Sequence, residues 1–434
     1  MVVVGVVGAY LTLWLTAILC FHTIVSKSDG SSSTNLQNQD ESPERHSLDK
    51  DSMNKNVGHK VVNNPWYGWQ PEIPASMECS WRECFKNEHS CSTCRDSTSD
   101  FAVADGASIN PGEDWVPDVT MLRRMFLDGH DSNGNPWPPP LDDELCEEIG
   151  TFGGKADGNK QLLDVVPIKG APFAKTSGKN DKLMCMIYTM EENHSTNIRA
   201  MRETWAPGCD GFLAFSTKTD ARIPAISLPH KGKEEYNNMW QKIRSMWRFV
   251  GTHYQNDFDW FYIGGEDMLV IPQNLKNYLS TYDPNQGYFL GRRLKGDGSG
   301  TYFNSGGAGY AISRAALHCI MEHFDEPNCH PDTHTPMEDV MIAQCLKNAC
   351  GISFSDTRDE QKRERFHPFS PQQHLTWQHP QPGMRDWYED YNKEWGLLLG
   401  KDCCAPDSVS FHYIKKPAMV RHLFHYLHNG NRNT

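Results

Sequence analysis

The chain has 434 residues, enough for one large domain or two ordinary ones. Its net charge of −13 excludes a simple nucleic-acid binder, and its 13 Trp, 15 Tyr and 19 Phe can supply both a large core and sugar-stacking surfaces. The 14 Cys are too many to ignore and too few for a disulfide-dense miniature, so their meaning depends on the compartment.

The amino-terminal residues address the compartment. Val2 to Val25 carries no charged side chain and is long enough to cross a bilayer as one helix. A cleaved signal peptide is the rival reading, but no Lys or Arg precedes the run and no clear cleavage site follows it. Residues 1–26 are therefore read as a retained membrane anchor. Residues 27–60 are Ser, Asn, Asp, Gln and Lys with hardly a large apolar side chain, the composition of a disordered stem.

Residues 61–179 read as an accessory extension rich in Trp and Cys. Cys79, Cys84, Cys91 and Cys94 cluster there, and Cys91-x-x-Cys94 invites a zinc or redox reading. The wider Cys79–Cys84 spacing favours two local disulfides in an oxidising compartment. Asp131 to Asn135 resembles the start of a calcium loop, but Pro136 stands where such a loop needs Gly.

From residue 180 to about 430 strands alternate with helices, which predicts an α/β domain with a largely parallel sheet. Leu183 to Tyr188 and Gly211 to Phe215 read as buried strands around a helical stretch, Asn197 to Trp205, that carries Arg199 and Arg202. Lys233 to Tyr254 reads as a helix whose stripe of Tyr236, Trp240, Ile243, Trp247, Val250 and Tyr254 forms a core face. Trp260 to Ile263 is a bulky central strand, ended abruptly by Gly264-Gly265 and followed at once by Glu266 and Asp267. In open α/β sheets the carboxyl edge is where ligands bind. Two carboxylates beside glycines there fit a hard divalent cation and a phosphate, while a polar turn is the plain alternative. Helices are predicted over Gln273 to Tyr282 and Ser313 to Phe324, with a strand over Tyr288 to Leu290. A last one opens at Thr335-Pro336-Met337-Glu338-Asp339 and closes at Cys350-Gly351. Acidic residues in a first helical turn have an ordinary dipole explanation.

Taken together, Arg202-x-Thr204-Trp205, Glu266-Asp267, Gly291-Arg292-Arg293, Ser305-Gly-Gly-Ala-Gly-Tyr310 and Glu338-Asp339 form an ordered set. Asp356-x-Arg358-Asp359, Phe366-His-Pro-Phe369, Cys403-Cys404 and Ser410-Phe-His-Tyr413 complete it. The set resembles the β-1,3-galactosyltransferase superfamily, specifically its core 1 branch, over about Leu183 to Leu427. The resemblance implies a GT-A (Rossmann-like) nucleotide-sugar transferase domain, carried on a single-pass type II membrane protein. It would face the lumen of the Golgi or endoplasmic reticulum. It also implies an inverting, Mn²⁺-dependent transfer of galactose from UDP-galactose to the 3-hydroxyl of O-linked N-acetylgalactosamine on glycoproteins. By position, Asp267 and His412 would hold the metal, Asp339 would be the catalytic base, and Arg202, Glu266 and Asp267 would contact the nucleotide sugar. A homodimer is left open.

One departure from the family pattern bears on function. The family has three consecutive Asp at the strand end, and this chain has Gly265-Glu266-Asp267. Alternate residues of an extended chain share a face, so Gly265 removes a carboxylate from the side of Asp267. A catalytically silent glycan-binding or chaperone-like relative, or a β-1,3-glycosyltransferase with another sugar or acceptor, is the alternative reading. A lumenal domain would have oxidised cysteines, with Cys185–Cys209 and Cys329–Cys345 as candidate pairs because each joins neighbouring elements. Asn193-His-Ser195 is a glycosylation sequon, expected to be used if the domain is lumenal.

Overall fold

A computed structural model describes residues 181–220, 223–296 and 300–429, together with Val116, Pro117, Leu162, Leu163 and Ile168. The anchor over 1–26, the stem over 27–60 and the Cys79–Cys94 cluster lie outside the described residues. Among those described, no helix is long and apolar enough to cross a membrane.

The elements that position the site are, in chain order, β1 (Leu183–Tyr188), α1 (Arg199–Glu203), β2 (Gly211–Ser216), β3 (Ala225–Ser227) and α2 (Met239–Tyr254). Next come β4 (Trp260–Gly265), β5 (Leu269–Val270), α3 (Pro272–Leu279), β6 (Phe289–Gly291), β7 (Arg293–Lys295), β8 (Tyr302–Asn304) and β9 (Tyr310–Ser313). The chain ends with α4 (Arg314–His323), α5 (Glu338–Cys350), β10 (Phe366–His367), α6 (Pro371–Thr376), α7 (Trp387–Asn392), β11 (Ser410–Phe411) and α8 (Pro417–Asn429).

The main sheet has the order β3-β2-β1-β4-β9-β6. β3, β2, β1 and β4 run parallel, and β9 runs antiparallel to both β4 and β6. β1, β2 and β4 are buried on both faces, which is why they read as near-continuous apolar runs. Leu183, Cys185, Ile187, Trp260 and Tyr262 point into one core, shared with Met201, Leu275 and Leu423. Met184, Met186, Phe261 and Ile263 point into the other, beneath Trp240, Ile243, Trp247 and Val250 of α2. The alternation follows from the two-residue period of a strand. Leu162, Leu163 and Ile168 join the first core, and the Tyr254 hydroxyl donates to the Pro117 carbonyl at 2.6 Å. These pieces of the extension are built into the domain.

Two sequence expectations are corrected. The long helix starts at Met239 and not at Lys233, and Tyr236, assigned to its core face, is 74% exposed. The cause is Asn238, whose amide donates to the carbonyls of Lys231 and Lys233 at 2.8 Å and folds the preceding chain into a separate turn. The stretch before Glu203 is helical from His194, but its first turn is a π turn and only Arg199–Glu203 is α-helical.

Four disulfides close the described region: Cys185–Cys209, Cys319–Cys350, Cys329–Cys345 and the adjacent pair Cys403–Cys404. A second, three-stranded sheet has the order β10-β11-β5. It is small, yet it decides where the carboxyl-terminal residues meet the edge of β4.

Candidate active site

β4 delivers Gly265, Glu266 and Asp267 to the carboxyl edge of the main sheet. β11 pairs antiparallel with β5, Ser410 opposite Val270 and Phe411 opposite Leu269, so the chain leaving β11 runs back alongside residues 266–268. The Ile414 N–H donates to the Asp267 carbonyl at 2.8 Å and locks that register. The His412 N–H is shared between the carbonyls of His367 at 3.2 Å and Phe369 at 3.3 Å. As a result His412 Nε2 stands 3.2 Å from Asp267 Oδ1.

His412 Nδ1 lies 3.2 Å from the Pro368 carbonyl oxygen, which can only accept, so Nδ1 carries a proton, and Nε2 donates to Asp267 when the ring is charged and offers a lone pair to a cation when it is neutral. Burial pushes the Asp267 carboxyl up, but the hydrogen bond and charge of His412 outweigh it and hold the group below its ordinary value. An ionised carboxylate oxygen and an imidazole nitrogen are a donor set suited to Mn²⁺. Adjacent ligands of an octahedral ion with bonds of about 2.1 Å sit about 3 Å apart, so the pair fits one cation without rearrangement.

Asp339 opens α5 across a glycine turn from this pair. Its Oδ2 accepts from the Gly306 N–H at 2.9 Å and its Oδ1 from the Val340 N–H at 2.9 Å. Burial nonetheless raises its pKa above the ordinary aspartate value. Glu338 beside it is 5% exposed, accepts from the Tyr310 hydroxyl at 2.9 Å, and is raised far higher by burial and by the charge of Asp339. The two turn glycines are needed for close approach. A Cβ at Gly306 would meet Glu338 Oε1 at 2.1 Å, and one at Gly307 would meet His412 Nδ1 at 2.7 Å. The turn is thus the partition between the two candidate groups.

Glu266 faces away from Asp267 toward the segment after β1. Its carboxylate accepts from the Thr189 hydroxyl and from Asn193 Nδ2 at 2.6 Å, and its own carbonyl accepts from Asn197 Nδ2 at 3.2 Å. Burial raises its pKa despite those partners. It ties β1 to β4 and stands apart from the donor pair. Arg202, the other predicted nucleotide-sugar contact, is 1% exposed on α1. Its neighbour Glu203 is clamped by Arg199 at 2.8 Å and by Arg421 of α8. The nitrogen of Asn193 that would carry a glycan is the one that donates to Glu266, at the edge of the site.

Several residues of the ordered set turn out to be scaffold. Arg292, 1% exposed, bridges Glu364 at 2.8 Å, the Tyr388 hydroxyl at 3.0 Å and Asn392 at 2.7 Å. Arg293 reaches Asp356 at 3.1 Å, and Arg358 grips the same carboxylate, which is lowered to about 2 against the opposing effect of burial. His367, His374 and Cys404 lie close enough to ligate a metal, but the Cys404 sulfur is bonded to Cys403. Burial keeps both imidazoles neutral, His374 at about 3, and His367 stacks on Phe411 at 4.4 Å beneath β11.

Sequence reasoning missed an aromatic wall. Tyr413, at a φ of +57°, stacks on His412 at 3.9 Å and lies parallel to Phe369 at 6.4 Å. Trp387 packs on Phe369 at 5.6 Å. Tyr413 is 41% and Trp387 45% exposed, so large apolar faces open beside the donor pair. The neighbouring Phe366-His-Pro-Phe369 and Ser-Phe-His-Tyr413 strings were the available signal.

Residues 178–378 match the Fringe-like family. The chain is 35% identical over 241 residues to the glycoprotein-N-acetylgalactosamine 3-beta-galactosyltransferase 1 of Xenopus laevis, a stretch covering 56% of this chain and 65% of that relative. It is 27% identical over 192 residues to the chondroitin sulfate glucuronyltransferase of Homo sapiens, covering 44% of this chain and 24% of that one. With the chondroitin sulfate synthase 3 of Homo sapiens it shares 24% identity over 253 residues, 54% of this chain and 28% of that one. The chain therefore spans just under two thirds of the first relative's length and about a quarter of the other two.

Proposed function

The chain belongs to the β-1,3-galactosyltransferase superfamily, in its core 1 branch, and from that premise we propose that it is an inverting GT-A glycosyltransferase. The reaction is transfer of galactose from UDP-galactose to the 3-hydroxyl of O-linked N-acetylgalactosamine on a glycoprotein. The reading rests on one arrangement: Asp267 and His412 at 3.2 Å, with Asp339 on the far side of the Gly306-Gly307 turn. Mn²⁺ held by Asp267 and His412 would neutralise the charge that builds on the departing UDP. Asp339 takes the proton of the attacking hydroxyl, since its raised pKa makes it a better base than an ordinary aspartate. The faces of Trp387 and Tyr413 offer stacking surfaces for a sugar ring beside the donor pair. Residues 1–26 serve as a single-pass type II anchor, with the domain in the lumen of the Golgi or endoplasmic reticulum, where the disulfides persist.

The test is a transfer assay on the full chain with Mn²⁺, a GalNAc-bearing peptide and UDP-galactose, beside UDP-glucuronic acid. A β-1,3-linked galactosyl product is expected. Transfer of glucuronic acid alone would move the protein toward the chondroitin-type chemistry named for two of its relatives. Binding of UDP without transfer of any sugar would support a silent relative, the reading favoured by the missing carboxylate at Gly265.

A further inference from the structure

Tyr188 is the last residue of β1 and Gly265 the last of β4, and the parallel register sets them side by side. Both belong to the face of the sheet that carries Met186 and Ile263. A Cβ built on Gly265 would meet the ring of Tyr188 at 3.1 Å from Cε2, 3.1 Å from the hydroxyl oxygen and 3.2 Å from Cζ. The phenol therefore fills the space into which a side chain at 265 would grow, on the side of the strand end that Asp267 occupies.

The hydroxyl of Tyr188 has no hydrogen-bond partner among the described residues. Its ring is half-buried. Beyond burial, the charges of Glu338, Asp267 and Asp339 all act on its hydroxyl and raise its pKa. A half-buried phenol usually finds a partner, and one without a partner in the protein has a hydrogen bond to offer a ligand atom.

We propose that Tyr188 is a donor-binding residue, its hydroxyl bonding a hydroxyl or phosphate oxygen of the nucleotide sugar in place of a carboxylate at 265. This rests on the nucleotide-sugar reading above. The exchange changes the chemistry. An ionised carboxylate only accepts, whereas a phenol accepts and donates, so Tyr188 can bond a phosphate oxygen that a carboxylate would repel. It also leaves the site one negative charge poorer, which lowers its intrinsic attraction for a divalent cation.

The test uses the full chain, UDP with Mn²⁺ by titration calorimetry, and turnover with UDP-galactose. Tyr188→Phe keeps the ring and removes the hydroxyl. It should raise the donor KM roughly 3- to 10-fold, the worth of one hydrogen bond, with the acceptor KM and the melting temperature unchanged. Gly265→Asp alone should weaken UDP binding, because the ring of Tyr188 blocks the new side chain. Tyr188→Ala combined with Gly265→Asp returns the space and the carboxylate, and should bind UDP with Mn²⁺ more tightly than either single variant. Parent-like donor KM in Tyr188→Phe, or a double variant no better than the worse single one, overturns the assignment. If the parent itself binds no UDP with Mn²⁺, the functional reading falls and this assignment falls with it.

Discussion

His412 Nε2 faces Asp267 Oδ1 at 3.2 Å although the two residues come from widely separated parts of the chain. No local sequence feature makes that contact. It is made by two residue pairs of a three-stranded sheet, Ser410 with Val270 and Phe411 with Leu269, resting on the buried ring of His367. A slip of one residue in that pairing would turn His412 to the other face.

The two candidate roles should separate in mutants. His412→Ala removes an imidazole donor and should weaken Mn²⁺-dependent UDP binding about tenfold or more. Asp339→Asn keeps the shape and can still accept from Gly306, but takes no proton. It should bind UDP and Mn²⁺ like the parent and lose about a hundredfold or more in turnover. Calorimetry of UDP with Mn²⁺, beside turnover on a GalNAc-peptide, reads both. Equal loss of UDP affinity in the two variants would show that the roles are wrongly divided.

The glycine turn gives a finer version of the same division. Gly306→Ala drives a methyl group against Glu338, and Gly307→Ala drives one against the His412 ring. Each insertion should cost on the order of 1–3 kcal/mol in local strain. We expect Gly307→Ala to lose UDP affinity in Mn²⁺ first, and Gly306→Ala to lose turnover first. If both fail only by unfolding, seen as matched falls in melting temperature and in both activities, the partition is structural alone.

The sequence made the parallel half of the sheet legible because β1, β2 and β4 are two-faced apolar runs, and it made α5 legible because Pro336 and Gly351 punctuate it. The α2 start was illegible, since the side-chain bonds of Asn238 reach carbonyls that no periodicity reveals. Within the site, Asp267 stood out by its place at a strand end. The place of the arginines did not: Arg292 and Arg293 stand in the ordered set with nothing in the sequence to say what they touch, and burial beside Glu364 makes them scaffold. Tyr188 was hidden for a different reason. Its role depends on the absence of a side chain one strand away.

Asn193 is a sequon, but its Nδ2 donates to Glu266 at 2.6 Å where β1 meets β4. A glycan on that nitrogen would crowd the carboxyl edge of the sheet. The active, folded protein is therefore expected to carry Asn193 unmodified, with no mass shift on glycosidase treatment. Asn193→Ala should leave the half-buried Glu266 with one partner fewer and lower stability by about 1 kcal/mol. A fully glycosylated and fully active preparation would contradict this.

The acid pair at the start of α5 should set the pH behaviour. Asp339 has a pKa raised by burial, and a base works only when ionised, so turnover should fall as pH drops through a value above that of an ordinary aspartate. For stability the sign follows from the same shift. A carboxyl whose folded pKa exceeds its unfolded value stabilises the fold fully below the unfolded value, and that contribution is lost as pH rises through the folded one. Glu338 is raised much further than Asp339, by burial and then by the charge of Asp339. Glu338→Gln keeps an oxygen to accept from Tyr310 and removes the ionisation. The variant should melt above the parent at mildly alkaline pH, and the difference should shrink toward zero in acid, where the parent's Glu338 is already neutral. Thermal melts of both proteins across that range decide the matter. A gap that widens in acid would mean that Glu338 is ionised in the folded protein, and that the pair's charge sits on both carboxylates instead of on Asp339 alone.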